Sequence, residues 1–293
     1  MTNFNSQYGF FKNVQLDDNG NIITTQDITQ FNEMISELKL VNSVPYFINV
    51  NEGNVVGVKP FSKFGRNSDI DTGSAPEDIW HGGGDYTGFP LESETLEIFS
   101  DNSNDTDGGT GARTVTISNL MDSGFNEMPD VIVTLNGTTP VSLGIGVYHR
   151  CSRMSVTTAG SSNGNIGNIT LRHTTTTANI FAVMPAGYNQ TQIFAYTVPA
   201  GKTLYVPNFS IKMARSNGSA GSANVTVRMR VNDSNIWKAI RNEEITDSQS
   251  YNFIGLAYFV GYEKSDIKGR VESVSDNNTI VTGEADGFLV DNV

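Results

Sequence analysis

Short runs in which apolar and polar residues alternate fill most of this chain, and turn-forming residues separate them. Ile166-Gly167-Asn168-Ile169-Thr170-Leu171 and Asn224-Val225-Thr226-Val227-Arg228-Met229-Arg230-Val231 show the pattern. A period of two places one face of a strand in a core and the other in water, as antiparallel sheets require. From residue 94 onward the pattern predicts strands near 94–100, 112–119, 129–136, 141–150, 153–158, 166–173, 178–184, 192–198, 203–212, 222–232, 250–261, 266–274 and 278–290. Asn136-Gly137, Pro185-Ala186-Gly187, Pro199-Ala200-Gly201-Lys202 and Asn217-Gly218 mark turns between them. Residues 236–245 read as a helical turn or an irregular crossing.

The first 92 residues read differently. Phe31, Met34, Ile35 and Leu38 recur at helical spacing after an Asp27/Gln30 capping box, which predicts a helix over about 28–40. Residues 44–60 read as a hairpin around Asn51-Glu52-Gly53-Asn54. Residues 61–92 form a glycine-rich stretch interleaved with Trp80, Tyr86 and Phe89. A connection this long suits a docking arm or a packed irregular segment. The expected architecture is therefore all-β: a jelly-roll-like antiparallel β-sandwich over 93–293, with an extended N-terminal arm over 1–92 carrying one short helix and a hairpin.

Composition narrows the chemistry. Charged residues make up 17% of the 293 residues, and the net charge is −12. Phosphate recognition needs a basic footprint, so no nucleic-acid partner is expected. The Arg228/Arg230 pair, on one strand face, reads as a solvated or interfacial face. Cys151 is the single cysteine, so no internal disulfide framework exists, and packing is its expected role. Met1 to Phe10 lacks a signal-peptide pattern and no apolar run is long enough to span a membrane, so cytoplasmic synthesis is expected. Asn-x-Ser/Thr triplets such as Asn136-Gly137-Thr138 follow from the composition rather than marking glycosylation.

Three segments resemble virion proteins of tailed bacteriophages: Asp71 to Pro90, with Trp80-His81-Gly82-Gly83-Gly84-Asp85-Tyr86 at its centre; Gly108-Gly109-Thr110-Gly111-Ala112-Arg113-Thr114-Val115; and Tyr196-Thr197-Val198-Pro199-Ala200-Gly201-Lys202-Thr203. The resemblance covers roughly residues 65–210 and carries no catalytic residues. It implies a non-enzymatic accessory component of the virion, made in the bacterial host cytoplasm: a capsid decoration or head-fibre protein, or a tail-attached adaptor or receptor/glycan-binding module. The expected partners are further copies of the chain, a trimer foremost, together with phage capsid or tail proteins and a possible host glycan. Trp80, Tyr86 and Phe89 are the residues expected to dock on the particle. No cofactor and no metal is expected.

His81-Gly82-Gly83-Gly84 and Gly160-Ser161-Ser162-Asn163-Gly164 match the oxyanion and nucleophile motifs of esterases, with His173 as base. No acid lies between Ser162 and His173, and Asn163 to Asn168 cannot start a helix. Residues 101–107 resemble a calcium loop, but position 112 is Ala where a bidentate Glu is needed. Capping of strand ends is the expected role, and Asp69, Asp71, Glu77 and Asp78 form a weaker acidic cluster. His81, His149 and His173 are too scattered for a zinc site. The aromatics Trp80, Tyr86, Phe89, Tyr188, Tyr196, Trp237, Tyr251, Tyr258 and Tyr262 suit core and interface first, and a sugar-binding face second.

Overall fold

A computed structural model describes residues 45–215, 221–246 and 250–292. The expected helix over 28–40 and the Asn217-Gly218 turn lie outside the described residues. Met1–Val56 and Gly57–Val293 are separate compact units. Of the first, the described part is one helix, α1 (Tyr46–Asn51), where a hairpin strand was expected. The Tyr-Phe-Ile-Asn-Val run looks like a strand, but Pro45 caps it with φ −52° and Gly53 ends it at φ +76°. Proline at the entry and glycine at the exit override the local β preference.

The second unit is all-β and antiparallel, as the alternation predicted. Its strands, numbered in chain order, fall into four sheets. The first runs β1 (Val58–Ile70), β16 (Thr279–Asp291), β11 (Lys202–Arg215), β14 (Ser250–Gly261). The second runs β10 (Ala195–Thr197), β15 (Ser265–Val274), β12 (Ser222–Val231), β13 (Lys238–Thr246), with β2 (Glu77–Asp78) also paired to β15. These two sheets share one core, centred on Val206, Phe209, Ile211, Val225, Val227 and Val271.

The remaining sheets share a second core. One runs β6 (Val141–Ser142), β3 (Leu96–Ser100), β8 (Ile169–His173), β9 (Ile180–Met184); the other runs β5 (Val131–Thr134), β4 (Ala112–Ser118), β7 (Arg153–Ala159). Leu96, Ile98, Val115, Ile117, Leu171 and Phe181 are fully buried there. Burying each such side chain is worth about 1.5–3 kcal/mol. The sequence reading had one body from residue 93. The structure has an outer lobe, made of the described residues of 57–79 and 194–292, into which a second lobe of about residues 80–193 is inserted.

The insertion has a two-stranded neck. Trp80 and Ile193 form an antiparallel bridge, and Phe194 donates its amide to the Ile79 carbonyl at 2.9 Å. The neck rests on a strand surface cleared of side chains, where Gly65 of β1 is paired with Gly283 of β16. A Cβ at Gly65 would lie 2.0 Å from the Phe194 amide nitrogen. Residues 57–79 thus belong to the sandwich body and not to an arm. Residues 238–246, expected to be irregular, form β13. Ile240 is the extra residue between the Val227–Arg241 and Arg228–Ala239 pairs, and this bulge breaks the alternation that would have marked a strand. Among the described residues, no helix is long and apolar enough to cross a membrane.

Candidate functional site: a buried ionic seam between the lobes

Charged residues recur at every second position of β15: Asp266, Lys268, Arg270 and Glu272. Ile267 and Val271, on the opposite face, enter the outer core. On β12 the same alternation sends Val225 and Val227 inward, and Thr226, Arg228 and Arg230 outward. The outward face of this sheet is thus a charged surface, and the inserted lobe covers much of it.

Asp266, fully buried, is the centre. Arg150 of the inserted lobe grips it with both arms of its fork, Nε to Oδ1 at 2.9 Å and Nη2 to Oδ2 at 2.8 Å. Arg230, directly opposite Asp266 in the strand register, donates from Nε at 2.9 Å, and Thr197 donates its hydroxyl at 2.6 Å. The other Arg150 guanidinium protons are also used, as is Arg230 Nη2. Arg150 donates to the Pro90 and His149 carbonyls at 2.8 Å, Arg230 to the Phe89 carbonyl at 2.7 Å, and Arg150 also meets Asp233. A buried ion pair is tolerated only where further bonds satisfy its remaining donors and acceptors, and here they do. Burial alone would lower the Arg150 pKa, but Asp266 and Asp233 outweigh it and hold the pKa above its ordinary value.

Aromatic rings close the seam. The Arg150 guanidinium lies 5.6 Å from the Phe89 ring centre and 5.3 Å from that of Phe125. Arg230 lies 5.0 Å and Lys268 4.8 Å from the Trp237 ring. Phe125 sits at φ +65°, a left-handed conformation uncommon for a bulky residue, and its ring packs edge-on against His149. His149 lies between the Ser93 hydroxyl (3.1 Å, Nδ1) and Asp233 (2.8 Å, Nε2). Burial, then Arg150, lower its pKa despite Asp233. The neutral ring satisfies both partners when Nε2–H donates to Asp233 and Nδ1 accepts from Ser93.

A second ionic cluster lies beside the first. Asp78 takes Lys268 at 2.7 Å, Arg270 at 3.0 Å and the Tyr86 amide at 2.7 Å. Glu77 accepts Asn67 Nδ2 and the Gly84 amide, both at 2.8 Å. The His81-Gly82-Gly83-Gly84 loop is therefore tied down around Glu77 and Asp78. Of the weaker acidic cluster, Asp71 accepts the Asn278 amide instead, at 2.9 Å.

Trp80, Tyr86 and Phe89 are buried and pack edge-to-face in series, Trp80 on Tyr86 at 5.2 Å and Tyr86 on Phe89 at 4.9 Å. The Tyr86 hydroxyl donates to the Phe181 carbonyl at 2.7 Å. The structure brings the three together, but as core rather than as a presented surface. Arg228 and Arg230 share a face, as expected. Of the solvated and interfacial alternatives, Arg230 takes the interfacial one, buried on Asp266, while Arg228 stays partly exposed and pairs with Glu272 at 2.7 Å. The seam residues Arg150, Asp266 and Lys268 were missed. Their signal was the two-residue period of charge in 266–272, which marks a covered sheet face when both neighbouring strands are apolar on the other side.

The esterase constellation is not assembled. The Ser162 hydroxyl lies 2.7 Å from both the Thr110 and the Gly164 carbonyl, its one proton shared between them, while His173 is buried with Nδ1 3.0 Å from Glu94. No helix follows Ser162. The calcium-like loop is an organising turn. Asp105 accepts Ser100 Oγ and the amides of Ala112, Ile166 and Gly167 within 2.7–2.9 Å, and Asp101 accepts both Asn168 nitrogens. Those lone pairs already face N–H and O–H donors. Cys151 is buried, and burial pushes its thiol up to about 12, which leaves it in packing as expected.

No protein-family model matches the chain, and no curated protein matches it. Solved structures of infectious bursal disease virus show a faint likeness. The Gt strain structure is 9% identical, over 85% of this chain and 78% of that one, with a TM-score of 0.21. The Gx strain structure is 10% identical, over 80% and 72%, with a TM-score of 0.22. The structure of T=1 particles derived from that virus is 10% identical, over 85% and 84%, with a TM-score of 0.14. Scores this low do not superpose the folds and carry no argument about this chain.

Proposed function

We propose that the chain is a non-enzymatic structural component of a virion of the tailed-phage kind, a capsid decoration or head-fibre protein that self-associates, with a trimer as the simplest assembly. The observation that carries this reading is the place of residues 71–90, the segment that resembles phage virion proteins. Its charged and aromatic groups help join two sandwiches into one body: Asp78 accepts the Tyr86 amide, Asp85 meets Arg270, and Phe89 accepts Arg230 at its carbonyl and packs on Trp237. A segment spent on holding lobes together suits a durable scaffold more than a reacting centre. The acidic chain, at −12, suits a component facing away from packaged DNA. Attachment to the particle passes to residues 1–56, since 57–92 are built into the body.

A second reading, a tail-attached adaptor or glycan-binding module, is favoured by a basic cleft beside β1, described below. Gold-labelled antibody against the chain, applied to purified particles of the virus that encodes it, separates the two. Label over the capsid is the expected result. Label confined to the tail transfers the assignment to the second reading, and unlabelled particles overturn both. A chain lacking residues 1–56 should remain folded and fail to label the particle.

A further inference from the structure

In a chain this acidic, one cleft gathers bases that, among the described residues, form no ion pair. It lies between β1 of the outer lobe and the paired segments 153–156 and 188–192 of the inserted lobe. Ser62, Lys63, Phe64, Arg153 and Thr191 line a cavity of about 10 Å3 there, room for about one water. Arg66, further along the outward face of β1, reaches the opposite wall and donates from Nη1 to the Tyr188 hydroxyl at 3.1 Å. His81 stands next to Arg66 and donates its amide to the Gln192 carbonyl.

Among the described residues, no carboxylate pairs with Lys63, Arg66, Arg153 or His81. This contrasts with Arg172 on Glu97, Lys202 on Asp291 and Arg215 on Asp276. The bases instead repel one another. Burial, then Arg153, lower Lys63 to about 7, and burial, then Arg66, lower His81. Lys63 is buried and bonds the Ser152 carbonyl. Tyr188 is 48% exposed, and its hydroxyl accepts from Arg66. Guanidinium groups outside any ion pair on two walls suit a carboxylate, which their planar forks match. A half-exposed tyrosine and the hydroxyls of Ser62 and Thr191 suit a sugar ring more than a peptide side chain.

We propose that this cleft binds the acidic sugar of a polysaccharide, with its carboxylate held by Arg66 and Arg153 and its ring against Tyr188. The site does not depend on the particle role: binding by the isolated chain tests the site, and labelling of particles tests the role. Bringing an anion beside Lys63 raises its proton affinity, so binding near pH 8 should take up a proton.

The test is titration calorimetry of the full chain with oligogalacturonate, the methyl-esterified form of the same oligosaccharide, and sodium acetate. Expected is saturable binding of oligogalacturonate that weakens with salt and loses about ten-fold or more in Arg66→Gln, Arg153→Gln or Tyr188→Ala, as expected for loss of a charge-assisted or stacking contact. The ester should not bind, and the heat at pH 8 should vary with the buffer's ionisation enthalpy. Variants count only where their melting temperature matches that of the native chain; the acid-against-ester comparison on the native chain needs no variant. Absence of oligogalacturonate binding, equal binding of the ester, or full affinity in a folded Arg66→Gln/Arg153→Gln chain overturns the proposal. Acetate binding as tightly as the oligosaccharide overturns it too, because the site then recognises a bare carboxylate.

Discussion

Asp266 shows how much one side chain carries here. It accepts Arg150 through both oxygens, together with Arg230 and Thr197, from full burial. Asp266→Asn keeps the shape but leaves two buried guanidinium groups short of their counter-charge, so the first urea transition of the variant should lie about 3–5 kcal/mol below the transition of the native chain; a loss below about 1 kcal/mol would show that the pair is not buried as described. Titration provides a second residue-scale test. His81, His149 and His173 are each held below the ordinary imidazole value, chiefly by burial. Below about pH 6.5 the unfolded chain takes up protons that the folded protein refuses, so stability falls with pH there and is level just above it. His149→Gln should flatten part of that slope in melting temperatures measured from pH 7 to 5.5. Lys63, lowered to about 7, gives the same sign at higher pH. Stability should rise between about pH 7.5 and 9.5, and Lys63→Met should abolish the rise. Little of this was legible in the sequence. Arg150 is one arginine among many until a strand from the other lobe brings Asp266 to it, and Trp80, Tyr86 and Phe89 look alike whether they dock or pack.

At the scale of elements, the alternation of apolar and polar residues found the strands wherever one face is apolar. It located most strands of both lobes, including β4, β8, β11, β12, β15 and β16. It failed where the inward face is not apolar. Three of the four buried positions of β1 are Lys63, Gly65 and Asn67, a cation, a glycine and an amide, and the fourth, Ile70, follows a shift in register, so the strand carries no period-two signal although it pairs along most of its length with β16. Each of the three has a reason to be there: Lys63 reaches Ser152, Asn67 reaches Glu77, and Gly65 clears the neck. The neck gives a sharp prediction. In Gly65→Val the new side chain meets backbone, which cannot rotate away. It should destabilise the protein by about 3 kcal/mol or more, at the upper end of overpacking costs. A melting temperature equal to that of the native chain would contradict the close crossing of Phe194 over β1.

For the whole molecule, the sequence showed the class and missed the plan. An all-β antiparallel chain with little reactive chemistry follows from composition and period. The insertion of one sandwich into another does not, because Trp80 and Ile193 lie far apart in the sequence and no local signal pairs them. The two cores explain why so much charge is buried between them. Neither lobe's outer face is apolar at the seam, so the lobes are held by matched charges, aromatic rings and the neck. The account stands or falls on the two lobes being one body. The most direct measurement is urea unfolding followed together by tryptophan fluorescence, which reports Trp80 at the neck and Trp237 at the seam, and by far-ultraviolet circular dichroism, which reports both lobes. One coincident transition in the native chain, split into two by Asp266→Asn, is the result expected of lobes coupled through the ionic seam. Two separate transitions in the native chain would contradict it.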